Sequence, residues 1–193
     1  MSKHILKTIF KNTKIPVIGA PMFIVSNPEL VIEQCKSGII GCFPALNARG
    51  KNKEPILDDW LQIINLGLMT SKKKCSIYGV NQIIHKTNKR LEHDMSIIKK
   101  YRVPFIITSL GINRNINDEI HSYGGIVFHD VTNNKFAKKA IDNGADGLIA
   151  ICSGAGGQAG NQSPFALMQE IREWYDGPVV LGGSISSGRS IKA

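Results

Sequence analysis

The sequence predicts an α/β fold, a parallel sheet closed into a (β/α)8 or TIM barrel, with about seven of the eight strands present. Short apolar runs rich in Val and Ile recur roughly every 20 to 37 residues, and a turn and a helix-like segment follow each run. The runs are continuously apolar, which is typical of parallel strands covered by helices. The predicted strands are Pro16–Ala20, Ile39–Phe43, Ser76–Val80, Phe105–Ser109, Gly125–His129, Gly147–Ile151 and Pro178–Leu181.

An open doubly wound sheet would produce the same order of elements. The barrel is favoured because distinctive segments follow most strands, no GxGxxG follows the first strand, and glycine-rich loops follow strands six and seven. Barrels of this class have about 250 residues and eight strands, whereas this sequence has 193 residues and stops soon after strand seven. We therefore expect residues 1–193 to form a single partial barrel domain without the eighth strand.

Glycine and capping residues predict three helices between these strands. Each has an Asn, Ser or Thr that can cap its first turn, and each is followed by a glycine that can end it. The three helices run between Asn27 and Gly38, between Thr132 or Asn133 and Gly144, and between Ser163 and Gly177.

The composition excludes several classes of protein. The formal charge is +9, from 24 basic and 15 acidic residues, but the basic residues are scattered and are not interleaved with aromatic residues, so nucleic acid is not a predicted partner. No window has about 18 consecutive apolar residues, and the first dozen residues do not fit a secretory signal, so we expect a cytoplasmic protein without a membrane partner. The four cysteines have no metal-ligand spacing and predict reduced thiols, with no metal site.

Two glycine-rich loops are the strongest candidates for a binding site. Residues Gly154–Gly160 follow strand six, and residues Leu181–Gly188 follow strand seven. Glycines let backbone amides approach a ligand closely, which is how many loops bind a phosphate. Either loop alone also fits a simple tight connection, but two adjacent loops at this position are typical of the phosphate site of a barrel.

Three other strand ends carry residues that either bind a ligand or serve the fold. Met22 follows the first strand, where a flexible apolar side chain either lies against a flat ring or fills the core. Asn81 follows strand three and offers two donors and an acceptor, which suits the carbonyl and imide edge of a ring. His129 and Asp130 end strand five, where they either orient a ligand or cap the next helix.

Together these segments resemble the nitronate monooxygenase family, formerly the 2-nitropropane dioxygenases, which are FMN-dependent (β/α)8 barrels related to a flavin-dependent enoyl reductase. The resemblance covers about residues 15–193 and rests on segments Gly19–Met22, Gly79–Asn81, Asp146–Gly157, Ser163–Leu167 and Gly182–Ile185 in this order. It implies that Ala20, Met22 and Asn81 contact the isoalloxazine of FMN, and that its ribityl phosphate end faces Gly156, Gly157, Gly182 and Gly183. The implied FMN contacts are Ala20, Pro21, Met22, Asn81, His129, Gly156, Gly157, Gly182, Gly183 and Ser184.

The sequence departs from the family pattern at two places. The family usually has a histidine, the base that takes the substrate proton, where this chain has Gln158. An amide cannot take a proton at neutral pH, whereas a preformed nitronate needs no proton removed, so oxidation of nitronates survives this change. The family also has a further strand with a Gly-Thr phosphate contact and a helical lid, which these 193 residues lack.

The resemblance therefore predicts an FMN-dependent oxidoreductase that oxidises alkyl nitronates, or similar anionic small molecules, with molecular oxygen, with Gln158 at the catalytic position. The alternatives are a flavin-dependent enoyl reductase-like enzyme, which would use a nicotinamide donor, and a non-catalytic flavin- or phosphate-binding barrel fragment. FMN is expected rather than FAD because no pyrophosphate loop of the Rossmann type is present. Unpaired edges at strands one and seven predict that the chain aggregates or forms a homo-oligomer and binds FMN weakly.

Overall fold

Six parallel strands form one sheet in chain order in the computed structural model, which describes residues 2–193. A helix lies between each strand and the next, so the architecture is the repeating βα unit that the sequence predicts. The strands are β1 Gly41–Pro44, β2 Tyr78–Ile83, β3 Phe105–Ser109, β4 Ile126–Val131, β5 Gly147–Ile151 and β6 Val179–Gly182. The helices are α1 Ser2–Ile9, α2 Pro28–Ser37, α3 Leu57–Met69, α4 Leu91–Lys100, α5 Arg114–Ser122, α6 Asn134–Asp142, α7 Pro164–Arg172 and α8 Gly188–Lys192.

The first predicted strand, Pro16–Ala20, is present only as a single parallel bridge between Ile18 and Ile40. The Gly19 N–H donates to the Ile40 carbonyl at 2.7 Å, so the segment does lie beside β1, where the prediction placed it. Prolines at positions 16 and 21 have no N–H to donate, and this prevents a longer ladder. The predicted incomplete barrel is therefore confirmed: six of the seven predicted strands form the ladder, and the first is reduced to this bridge.

The structure extends β2 and β4 the furthest beyond the predicted strand ends. β2 continues to Ile83, so that Asn81 lies inside the strand, in register with Ile107 of β3. β4 continues to Val131 and includes Asp130. The polar side chains of Asn81 and Asp130 are accommodated within these strands because each is hydrogen-bonded to Ser109 on β3.

The helix caps confirm most of the predicted starts. The Asn27 side chain accepts a hydrogen bond from the first turn of α2, which ends at Gly38 with a left-handed φ of 91°. Asn133, rather than Thr132, caps α6. Ser163 caps α7, but this helix ends at residue 172, well before the predicted glycine.

The inner face of the sheet holds an apolar cluster that supports the site above it. Phe105 and Phe128 meet edge to face, with ring centroids 5.3 Å apart. Glycines on neighbouring strands provide the space, since a Cβ on Gly79 would lie 2.6 Å from the Phe105 ring and one on Gly147 would lie 2.5 Å from the Phe128 ring. Helix α1, which the sequence did not predict, adds the buried Ile9 to this cluster.

The outer face of the sheet packs against the helices through a second cluster, to which α2, α3, α4 and α5 contribute. Strands β1, β2, β3 and β5 are almost entirely buried, whereas β6 is only partly buried and pairs with β5 alone among the described strands. None of the described helices is long and apolar enough to cross a membrane. Association through the strand edges stays a prediction.

Candidate functional site

A cavity of about 820 Å³ lies at the carboxyl ends of the strands. Its volume is in the range of about 300–1,000 Å³ that is usual for small-molecule sites. Most of its wall is apolar, and this part is formed by Ile18, Phe23, Leu46, Ile83, Ile107, Leu110, Ile149, Ile151, Val180 and Leu181. A flat ring system would be in contact with aliphatic side chains on several sides.

Most residues that the sequence singled out lie in the wall of this cavity. They come from loops and strands far apart in the sequence, which the sheet brings to one edge. These residues are Ala20, Pro21, Met22, Asn81, Gly156, Gly157, Gln158 and Gly182.

The segment that carries Met22 is held in place by Asn47, from the short turn after β1. The Asn47 amide nitrogen donates to the carbonyl oxygens of Met22 and Ser26, both at 2.9 Å, and its oxygen accepts from the Ile24 N–H at 3.1 Å. The side chain of Met22 remains 40% exposed, so it is free to contact a ligand rather than being packed in the core.

Asn81 has only its amide oxygen available for a ligand. Its amide nitrogen donates to the Ile107 carbonyl at 3.1 Å and to the Ser109 hydroxyl at 2.6 Å, which uses both N–H groups. The sequence predicted that donors and an acceptor would be presented together. The structure instead presents an acceptor, which selects a ligand group that carries an N–H or O–H.

Ser109 connects Asn81 to a carboxyl group. The Ser109 hydroxyl accepts from Asn81 and donates to Oδ2 of Asp130 at 2.5 Å. The other oxygen of Asp130, Oδ1, is buried and has no hydrogen-bond partner in the described part of the chain. Burial, the larger effect, raises the pKa of Asp130 to about 6, while the bond from Ser109 lowers it in part.

A smaller cavity of about 310 Å³ adjoins the first. Leu110, Asp130 and Gln158 line both cavities and therefore form their shared wall. His129 and the exposed Lys139 lie in the smaller cavity only. The predicted catalytic position, Gln158, thus lies with Asp130 in the wall that the two cavities share.

Three predicted contacts lie outside the wall of the larger cavity. His129 is 5% exposed, its ring nitrogen Nδ1 lies 2.7 Å from the Thr108 hydroxyl, and burial lowers its pKa to about 4. The backbone N–H and the hydroxyl of Ser184 both donate to the Gly154 carbonyl, at 3.0 and 3.2 Å, and this bond ties the two glycine loops together. Gly183 packs behind them with a φ of 137°. Their role as ligand contacts stays a prediction.

The glycine loop after β5 provides room for a ligand at one position in particular. Gly157 has a φ of 71°, a backbone conformation in which a residue with a side chain would be strained. Gly156 does not have a positive φ, and a Cβ there would meet no atom within 4 Å. The open space at Gly156 belongs to the cavity. A ligand phosphate or ring edge can therefore approach the backbone at this point.

Sequence reasoning missed Ser109 and Leu110 as parts of the site. Ser109 is the last residue of β3, and the carboxyl ends of barrel strands are where functional side chains collect, so its position was the available signal. Leu110 is a non-glycine residue with a φ of 57° and is 53% exposed in the shared wall. No sequence signal indicates this strained conformation, which is typical of functional sites.

The fold and the site define a class of protein: a parallel α/β barrel-type chain with a cavity of small-molecule size at the carboxyl ends of its strands. Residues 65–193 match the family model for nitronate monooxygenase. The nitronate monooxygenase of Neurospora crassa is 25% identical over 96% of this chain and 58% of that protein. The chain therefore belongs to the nitronate monooxygenase family, and it spans 58% of the length of this curated relative.

Two solved structures superpose on this chain and have the same architecture. FabK from Thermotoga maritima superposes with a TM-score of 0.79 at 20% identity, over 96% of this chain and 56% of that one. The nitroalkane oxidase from Streptomyces ansochromogenes superposes with a TM-score of 0.75 at 18% identity, over 90% of this chain and 60% of that one. At these identities the similarity establishes the architecture of the sheet and its helices.

Proposed function

We propose that the chain forms the flavin- and substrate-binding part of an FMN-dependent oxidoreductase that oxidises alkyl nitronates with molecular oxygen. The observation that carries this proposal is the cavity of about 820 Å³, in which the family segments around Met22, Asn81 and Gly156 meet. Membership of the nitronate monooxygenase family supports the reaction class.

The residues present fit the ring of FMN. The apolar wall suits an aromatic ring system, Met22 is free to lie against one face of it, and the amide oxygen of Asn81 suits its imide N–H. The open space at Gly156 allows an approach to the backbone from the cavity. When bound, FMN would supply the redox chemistry by taking electrons from the substrate and passing them to oxygen.

The chain itself binds and orients the substrate and excludes water. Aliphatic side chains such as Ile149, Val180 and Leu181 surround the space and lower its polarity. An anionic nitronate is attracted by the overall charge of +9, and Lys139 places a positive charge at the smaller cavity. A nitronate has already lost its α-proton, so the amide of Gln158 is sufficient beside it as a hydrogen-bond donor.

The first experiment is a flavin titration of the 193-residue chain followed by anaerobic reduction. We expect FMN to bind in preference to FAD and to be bleached by preformed ethyl nitronate. Bleaching by NADH or NADPH but not by nitronate would instead establish the enoyl reductase-like alternative. Bound flavin that neither donor reduces would establish a non-catalytic binding protein.

A further inference from the structure

Asp130 is the only ionisable residue among the described residues that line the larger cavity. The other polar side chains in that wall are Asn81, Ser109 and Gln158. Amides and hydroxyls do not accept a proton at neutral pH, so none of these three can act as a base. A carboxylate can, and this makes Asp130 the one side chain in the wall suited to the task.

The carboxyl group of Asp130 is held in one position, but only one of its two oxygens has a hydrogen-bond partner. Oδ2 accepts the hydrogen bond from Ser109 at 2.5 Å, which fixes the orientation of the group. Oδ1 is buried and has no partner in the described part of the chain. Nearly all buried polar atoms in proteins have partners, so an unpartnered one calls for a specific explanation, such as a ligand or a chemical role.

The surroundings of Asp130 bring its pKa into the range that suits proton transfer. Burial, the largest cause, raises the pKa of Asp130 to about 6, close to neutral pH, where a general base is most effective. Two other titratable groups face the same wall from the smaller cavity, Lys139 on α6 and His129 on β4. Burial lowers the pKa of His129 to about 4, and its Nδ1 is hydrogen-bonded to Thr108, so its ring is neutral near pH 7.

We propose that Asp130 is the general base that removes the α-proton from neutral nitroalkanes, at a site where the glycine loop provides only Gln158. The α-carbon–hydrogen bond breaks, the proton moves to the carboxylate of Asp130, and the electron pair remains on the substrate, which becomes the nitronate. No oxidant is consumed in this step. The assignment rests on the proposed function, because it supplies the nitronate that the flavin then oxidises.

The test measures proton exchange and needs no redox turnover. Nitroethane is incubated in D2O with the 193-residue chain, with and without added FMN, and NMR follows the replacement of its α-hydrogens by deuterium. We expect Asp130→Asn to reduce the protein-dependent exchange rate about 10²-fold or more. Asp142→Asn, which changes an exposed carboxylate at the end of α6, should change the rate less than twofold.

A second variant tests the assignment independently of the first. The hydrogen bond from Ser109 lowers the pKa of Asp130, so Ser109→Ala should move the midpoint of the exchange rate to higher pH without abolishing exchange. The proposal is overturned if the wild-type chain produces no exchange above buffer, if Asp130→Asn retains it, or if Ser109→Ala leaves the midpoint unchanged. Oxygen uptake with preformed ethyl nitronate tests the proposed function separately, because that substrate needs no base.

Discussion

Replacing Asp130 with asparagine should stabilise the folded chain more at pH 8 than at pH 3.5, by about 3 kcal/mol. The pKa of Asp130 is raised from 3.8 to about 6, and each pKa unit is worth about 1.4 kcal/mol. A raised carboxyl pKa means that the folded chain prefers the protonated group. Its contribution to stability is therefore complete below pH 3.8 and is lost as the pH rises through 6. Asparagine does not ionise, so the variant loses no stability over this pH range.

The measurement is urea denaturation of both chains at several pH values, with the difference in free energy of unfolding plotted against pH. An unpaired amide in place of Oδ1 adds a cost of about 1 kcal/mol, but this cost is the same at every pH and leaves the slope unchanged. Asp142→Asn on the surface should show a difference below about 0.5 kcal/mol throughout. A flat profile for Asp130→Asn would refute the reasoning that desolvation dominates at this carboxyl group.

Three further predictions follow from the same geometry. Gly156→Ala should leave stability nearly unchanged but weaken FMN binding in a flavin titration, because its methyl group enters open cavity space. The control is Gly188→Ala, whose methyl group also meets no atom within 4 Å but lies outside the cavity wall. The pKa of His129 is lowered to about 4, so the folded chain loses about 3 kcal/mol of its free energy of unfolding as the pH falls from 6.5 to 4. His129→Gln should remove this loss in urea denaturation, and an unchanged dependence of the free energy of unfolding on pH contradicts the prediction. Gln158→His places a second base in the wall that Asp130 lines, so it should raise oxygen uptake on neutral nitroalkanes far more than on nitronates; equal effects would show that the side chain at position 158 does not reach the α-proton.

The sequence predicted the strands best where apolar runs are long and bounded by breaking residues. The ranges Phe105–Ser109 and Gly147–Ile151 agree with the structure at both ends. The prediction failed where polar residues continue a ladder, as at Asn81, or where prolines interrupt one, as near Ile18. At Asn81 the deciding factor was a hydrogen-bond partner on β3, which composition and local pattern do not contain. Near Ile18 it was the N–H that the prolines lack, a signal that the sequence does contain.

The sequence alone also does not decide which of His129 and Asp130 lies in the wall of the larger cavity. Successive side chains of a strand point to opposite faces, so these neighbours have different surroundings even though both line the smaller cavity. The sequence places both at a strand end and leaves the register open. In the structure Asp130 lies in the wall of the larger cavity, while His129 is hydrogen-bonded to Thr108 on the neighbouring strand.

The shared wall of the two cavities concentrates properties that a stable fold would avoid. Leu110 has a left-handed backbone there, and Asp130 is a desolvated carboxyl group with an unpartnered oxygen. Both features cost stability at neutral pH, and the second also brings the pKa of Asp130 near the pH at which a base is effective. Stability and reactivity at this position therefore have one physical cause, burial of the carboxyl group. It follows that Asp130→Asn should both stabilise the chain at neutral pH and reduce proton exchange by about 10²-fold or more. A variant that shows one of these effects without the other would contradict the assignment of both to Asp130.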